Sequence, residues 1–122
     1  MPIPPLIRQA LAGYIENDIM NMARFKIGDS GVTNLAGLSV RYGDANAVTL
    51  IDVIVFRNAD SANNDAALWA HELTHVKQYR DFGVHDFAVR YVRNYHEIED
   101  PAYSVQFQFA AWRASHPVEP PP

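Results

Sequence analysis

Apolar residues in this chain follow a helical spacing near both ends and short unbroken runs in between. Near the start, Leu6, Ile7, Ala10, Leu11, Tyr14 and Ile15 keep a 3.6-residue spacing behind Pro4 and Pro5, either of which can occupy a first helical position. Gly13 predicts a break, and residues 16–22 a second helical turn in which Met20 and Met22 pack. From residue 23 to 58 the texture changes. Apolar runs at 24–27, 38–42 and 48–57 are cut by Gly28-Asp29-Ser30-Gly31 and Gly43-Asp44-Ala45-Asn46, which predicts a small, mainly antiparallel sheet. Val53, Ile54, Val55 and Phe56 are apolar throughout and β-branched for three residues, so this is the strand expected to be covered on both faces.

Helical periodicity returns after a polar loop at residues 58–64, with Asn63 or Asn64 as N-cap and Asp65 in a first turn favoured by the helix dipole. A long helix then runs to about Phe82, where Gly83 stops it. A further helix over 86–95 places Phe87, Val89, Tyr91 and Val92 for packing, with Arg90 and Arg93 more exposed. The last helix is expected to begin between Glu97 and Asp100 and to end near Ala114, because Pro101 is tolerated in a first turn but not deeper. Residues 117–122 read as an extended proline-rich tail.

The long helix carries His71-Glu72-Leu73-Thr74-His75, an H-E-x-x-H pattern. Two imidazoles four residues apart lie about 40° apart around a helix and roughly 6 Å along it, so both can reach one metal ion. Zinc suits neutral nitrogen ligands, and a catalytic zinc takes three protein ligands with its fourth position left for water. Glu72, about 100° round from His71, is placed to take a proton from that water rather than to join the metal. The motif fixes only three positions, but its setting adds weight. Leu68, His75, Gln78, Tyr79 and Phe82 fall near His71 on the wheel, and Ala66, Trp69, Leu73 and Val76 form a second apolar arc. Only Ala70, Thr74, Lys77 and Asp81 are left facing outward.

Composition narrows the function classes. At 122 residues the chain is a single domain, 1–122, and 48% hydrophobic with 20% charged residues fits a globular protein. A net charge of -4 without a lysine-arginine cluster gives no electrostatic footprint for nucleic acid. There is no cysteine, so any metal must be held by nitrogen and oxygen. Neither a signal peptide nor a membrane span is legible, which makes the cytoplasm the default expectation.

A third ligand must come from elsewhere in the chain. One metalloprotease pattern places it six residues past the second His, but here Gln78 replaces the glycine that would turn the chain back, and Asp81 points outward. His85 follows Gly83 and can fold back, although a polar loop residue is the simpler reading. A glutamate some twenty-odd residues after the second His, on a following helix, is the other common solution. Glu97 and Glu99 lie 22 and 24 residues after His75, and both fit.

Residues 67–79, with Phe82-Gly83 and Tyr91, resemble the metallopeptidase-like domain family found in proteins linked to extracellular contractile injection systems. That family carries H-E-L-x-H-V-x-Q, an earlier apolar strand ending in Phe, and a later Glu three residues ahead of Ala-Tyr. Here these are residues 71–78, Val53–Phe56, and Glu99 ahead of Ala102-Tyr103, with the similarity running from Pro4 to about Gln106. The resemblance implies an α+β, minimal zincin-like fold in which the small sheet packs on the H-E-x-x-H helix. It also implies that a C-terminal helix carries Glu99 as third ligand, with Glu97 as the alternative.

The chemistry expected on this basis is zinc-dependent hydrolysis of a peptide bond in a peptide or protein substrate. Glu72 is the general base, and a phenol or cation among Tyr95, His96, Tyr103 and His85 stabilises the oxyanion. One rival is a non-catalytic zinc-binding structural or docking module of a larger secretion or injection-type assembly. Another is a metal-free interaction domain with packed histidines. Glu72 speaks against both, because a structural site needs ligands and no base.

Overall fold

The computed structural model describes residues 1–28 and 46–117. The strand expected at 38–42, the interior of both glycine-rich turns and the tail beyond residue 117 lie outside the described residues. The architecture is α+β. In chain order it comprises α1 (Pro5–Leu11), α2 (Asn17–Met22), β1 (Arg24–Ile27), β2 (Ala47–Leu50), β3 (Val53–Phe56), α3 (Ala59–Asn64), α4 (Ala66–Phe82), α5 (Val84–Arg93) and α6 (His96–Ser115). Among the described residues no helix is long and apolar enough to cross a membrane.

Pro5 takes the first turn of α1, and Gly13, at φ +85°, separates α1 from α2. The sheet order is β1-β3-β2, with β3 in the centre. It is mixed rather than mainly antiparallel: β1 runs parallel to β3 (Arg24 opposite Val53), while β2 is antiparallel to it (Leu50 opposite Val53). The sequence hides this because the 48–57 run reads as one mostly apolar stretch and is two strands in the fold. They are joined through Ile51-Asp52, with no glycine or asparagine to mark the turn. Ile51 carries the turn at φ +61°, where a β-branched side chain is sterically penalised.

Helix α4 is the centre of the fold and packs against β2, α5, α6, α1 and α2. Trp69 is fully buried between Phe25 and Phe56, with ring centroids at 5.4 and 4.7 Å, and its indole N–H donates to the Ala62 carbonyl at 2.7 Å. Ala70 is buried rather than outward-facing, since α1 and α2 add cover that the periodicity of α4 alone does not reveal. The expected loop at 58–64 is α3, capped by the Asn58 side chain accepting from the Ser61 N–H. The N-cap of α4 is Asp65 rather than an asparagine, its carboxylate accepting from the Leu68 N–H at 3.0 Å. Gly83, at φ +82°, ends α4 as its position implies.

Helix α6 corrects a second expectation. It starts at His96, so Pro101 sits inside the helix rather than in its first turn. The start is moved back by Asn94, whose side chain accepts from the His96 N–H and whose carbonyl accepts from the Glu97 N–H. Pro101 has no N–H for the Glu97 carbonyl one turn earlier, which weakens α6 there.

Because the Ile51 side chain is about half exposed, little packing opposes its replacement. Ile51→Gly is expected to stabilise the domain by about 0.5–1 kcal/mol, the left-handed steric penalty less the extra backbone entropy glycine loses on folding. A higher urea midpoint at unchanged m-value is the expected result, and an unchanged or lower midpoint counts against strain at this turn.

Candidate metal centre

Helix α4 buries His71, Glu72 and His75 together, and their ligand atoms lie within 4.8 Å of one another. From α6, Glu99 reaches the same point, its Oε1 lying 3.4 Å from His71 Nε2 and 2.5 Å from His75 Nε2. Glu97 is turned away, held by Arg90 at 2.8 Å and Arg93 at 2.9 Å. Two residues along a helix rotate a side chain by about 200°, so one glutamate facing α4 puts the other on the far side.

Each imidazole is oriented by a glutamine. His71 Nδ1 lies 2.9 Å from Gln106 Oε1, and His75 Nδ1 lies 2.8 Å from Gln78 Oε1. The Gln78 amide is itself fixed, because its Nε2 donates to the Ile98 carbonyl at 2.9 Å. A carbonyl oxygen accepts, so each Nδ1 carries a hydrogen and each Nε2 is the nitrogen turned toward the cluster, where a neutral ring would offer its lone pair to a metal. His71 Nε2 is buried there with no hydrogen-bond partner among the described residues. Glu72 is held by Thr49 of β2, whose hydroxyl lies 3.1 Å from Oε1, while Oε2 sits 3.8 Å from His71 Nε2.

This donor set fits a metal ion. Two nitrogens and a carboxylate oxygen, each about 2.0–2.1 Å from a tetrahedral centre, would be spaced about 3.3 Å apart. The His71–Glu99 separation of 3.4 Å matches that spacing, and the His75–Glu99 contact has to open by somewhat less than 1 Å. An apolar interior does not otherwise gather two carboxylates and two imidazoles, since each carboxylate buried without a cation is costly.

Electrostatics agree with the geometry. Burial works to raise the Glu99 pKa, but the His71 and His75 imidazoles set against the carboxylate outweigh it and hold the carboxyl down at about 2. Burial likewise works against the His75 imidazolium, and the contact with Glu99 and the charge on Glu72 overcome it, leaving the His75 pKa above its ordinary value.

Other residues singled out in the sequence fall differently. Tyr103 packs its ring edge-on against His71 at 4.5 Å. His85, Tyr95 and His96 are exposed, and none lines the cavity over the cluster. Tyr91 does line it, together with Thr49 and Tyr79. Gln78, Gln106, Thr49 and Tyr91 are the residues that sequence reasoning leaves without a site role. The i,i+3 spacing of His75 and Gln78 on α4 is a signal for one of them, and the shared helical face of Glu99, Tyr103 and Gln106 is a signal for another; Thr49 comes from the sheet and gives none.

A family model for the eCIS core domain matches residues 2–83, about two thirds of the chain. The chain belongs to the eCIS core domain family. Membership links it to proteins of extracellular contractile injection systems. The eCIS core match takes in β1 to β3 and the whole H-E-x-x-H helix, and it stops short of the Gln106 limit expected from sequence, so Glu99 lies beyond it. No curated protein and no solved structure matches the chain.

Two measurements follow from the paired charges and the glutamines. Glu99, with its pKa lowered, contributes stability above about pH 4.5 that is lost as pH falls toward 2. His75, with its pKa raised, contributes stability below pH 6.5 that is lost as pH rises through its folded value. Chelator-treated protein is therefore expected to melt highest between these limits, and Glu99→Gln to flatten the profile. A melting temperature that climbs steadily from pH 5 to 8 contradicts this. Gln78→Leu removes the acceptor that orients His75 and is expected to weaken metal binding about 10- to 100-fold, read by competition with a chromophoric chelator. Unaltered affinity would leave Gln78 a packing residue only.

Proposed function

We propose that this domain is a zinc-binding component of an injection-type assembly, and that the site engages a peptide segment. The observation that supports it best is the convergence of His71 Nε2, His75 Nε2 and Glu99 Oε1 among buried residues, with both Nδ1 atoms facing glutamine oxygens. Zinc is favoured over magnesium or calcium because two of the three donors are imidazole nitrogens. Family membership supplies the assembly.

A second reading, zinc-dependent peptide hydrolysis, is favoured by Glu72. A purely structural site has no use for a fourth buried acidic or imidazole group, yet Glu72 is buried beside the ligands and steadied by Thr49. Zinc, when bound, would polarise a carbonyl and bring the pKa of its water to about 7. Glu72 would then accept the proton through Oε2 and return it to the departing amine nitrogen. His71, His75 and Glu99 hold their donor atoms fixed during this transfer. For the oxyanion, Tyr103 beside His71 and Tyr91 in the cavity wall are the phenols placed near the centre.

Native mass spectrometry of protein purified without chelator is expected to show one zinc per chain, lost in His71→Ala. Glu72→Gln, nearly isosteric but unable to accept a proton, is expected to keep both zinc and fold. A peptide-library digest then separates the readings. Cleavage by the wild type and none by Glu72→Gln establishes the enzyme, while silence from a fully zinc-loaded wild type leaves the binding module. Absence of zinc from the wild type removes both.

A further inference from the structure

A cavity of about 180 Å³ opens directly on the cluster, with His71, Glu72, His75 and Glu99 along its floor. Its wall is of a different character. Leu50 at the end of β2 and Val84, Phe87, Ala88 and Tyr91 on α5 make it largely apolar, and among the described residues no charged side chain lines it outside the floor. A cavity of roughly 150 Å³ lined by apolar side chains takes up one benzene ring, so the space here matches a single side chain of leucine or phenylalanine size.

The wall is also preformed. Phe87 stacks on Tyr79 of α4 at 3.7 Å with the rings 12° apart, and the Arg90 guanidinium lies over the Phe82 ring at 4.2 Å. Arg90 and Arg93 then tie α5 to Glu97 of α6. A wall held on both sides loses little conformational freedom when it receives a ligand, so most of the gain from burying an apolar group would appear as affinity.

We infer that this cavity is a selectivity pocket for one medium-sized apolar side chain of the peptide presented to the metal centre, and that α5 sets its size. The inference rests on the metal-binding reading and deepens it by naming the ligand's chemistry. An apolar side chain fills the wall while a polar backbone group of the same peptide meets the floor. Charged and strongly polar side chains are excluded, because the wall offers them no counter-charge. Helix α5 lies beyond the residues matched by the family model.

Hydroxamates test this without any turnover, since their oxygens bind zinc and their tails probe the wall. Calorimetry on zinc-loaded protein compares acetohydroxamate with its 4-methylpentano, 3-phenylpropano, 3-naphthylpropano and 3-carboxypropano analogues. The methylpentano and phenylpropano compounds are expected to bind roughly 10- to 100-fold tighter than acetohydroxamate. The naphthyl compound should fall below the phenyl one, and the carboxylate should gain nothing. Ala88→Leu, at an exposed position of α5, should bring the phenyl-to-acetyl ratio close to one, and Val84→Phe on the same helix serves should that variant misfold. Equal affinities along the series, with acetohydroxamate bound, overturn the pocket and leave the metal site standing. Failure of acetohydroxamate to bind overturns the reading beneath it, and the pocket with it.

Discussion

Two carboxylates and two imidazoles are buried in the middle of a small domain, and the fold around them depends on keeping that charge balanced. Glu72 and Glu99 are each at most 5% exposed and lie where apolar side chains would pack with less cost. Balance requires a cation. In the metal-free state an imidazolium at His75 would offset one of the two carboxylate charges, and the contact between them lowers the Glu99 pKa and raises the His75 pKa. A metal ion at the same point would do so with more charge, bonding to donors that otherwise crowd one another. The helix contact between α4 and α6 and the charge of the site are therefore one problem with one solution.

The surrounding elements follow from that contact. Trp69, anchored to the Ala62 carbonyl and boxed by Phe25 and Phe56, fixes the rotation of α4 about its axis. That rotation directs the His71 and His75 face toward α6 and brings Glu72 against Thr49 of β2. The sheet contributes little to the chemistry beyond this one hydroxyl, yet it sets the face that α4 can offer. Helix α5 closes the remaining side with an aromatic layer of Phe87 and Tyr91 over Tyr79 and Phe82.

What the sequence made legible was local. The proximity of His71, Glu72 and His75 follows from one helix with one period, and Gly83 as its end needs no knowledge of the rest of the fold. Where two elements must be docked, the pattern stops short. Parallel pairing of β1 with β3 and the turn at Ile51 leave no trace in the apolar runs, because a β-branched residue at positive φ contradicts its own preference. The choice between Glu97 and Glu99 for the α4 side is equally invisible by spacing alone, since it turns on where α6 begins, and Asn94 sets that at His96, ahead of the Glu97 to Asp100 range that Pro101 suggests.

Helix α6 meets the histidine pair at three places along its length. The Ile98 carbonyl takes the amide that orients His75, Glu99 touches both rings, and Gln106, two turns further on, holds His71. Together they act as a vernier on the position of one helix against another. A slip of α6 by a single residue would swing Glu99 through about 100° and shift Gln106 by about 1.5 Å, so both rings would lose their alignment together. The imidazoles thus report the register of the C-terminal helix as directly as they serve any ligand.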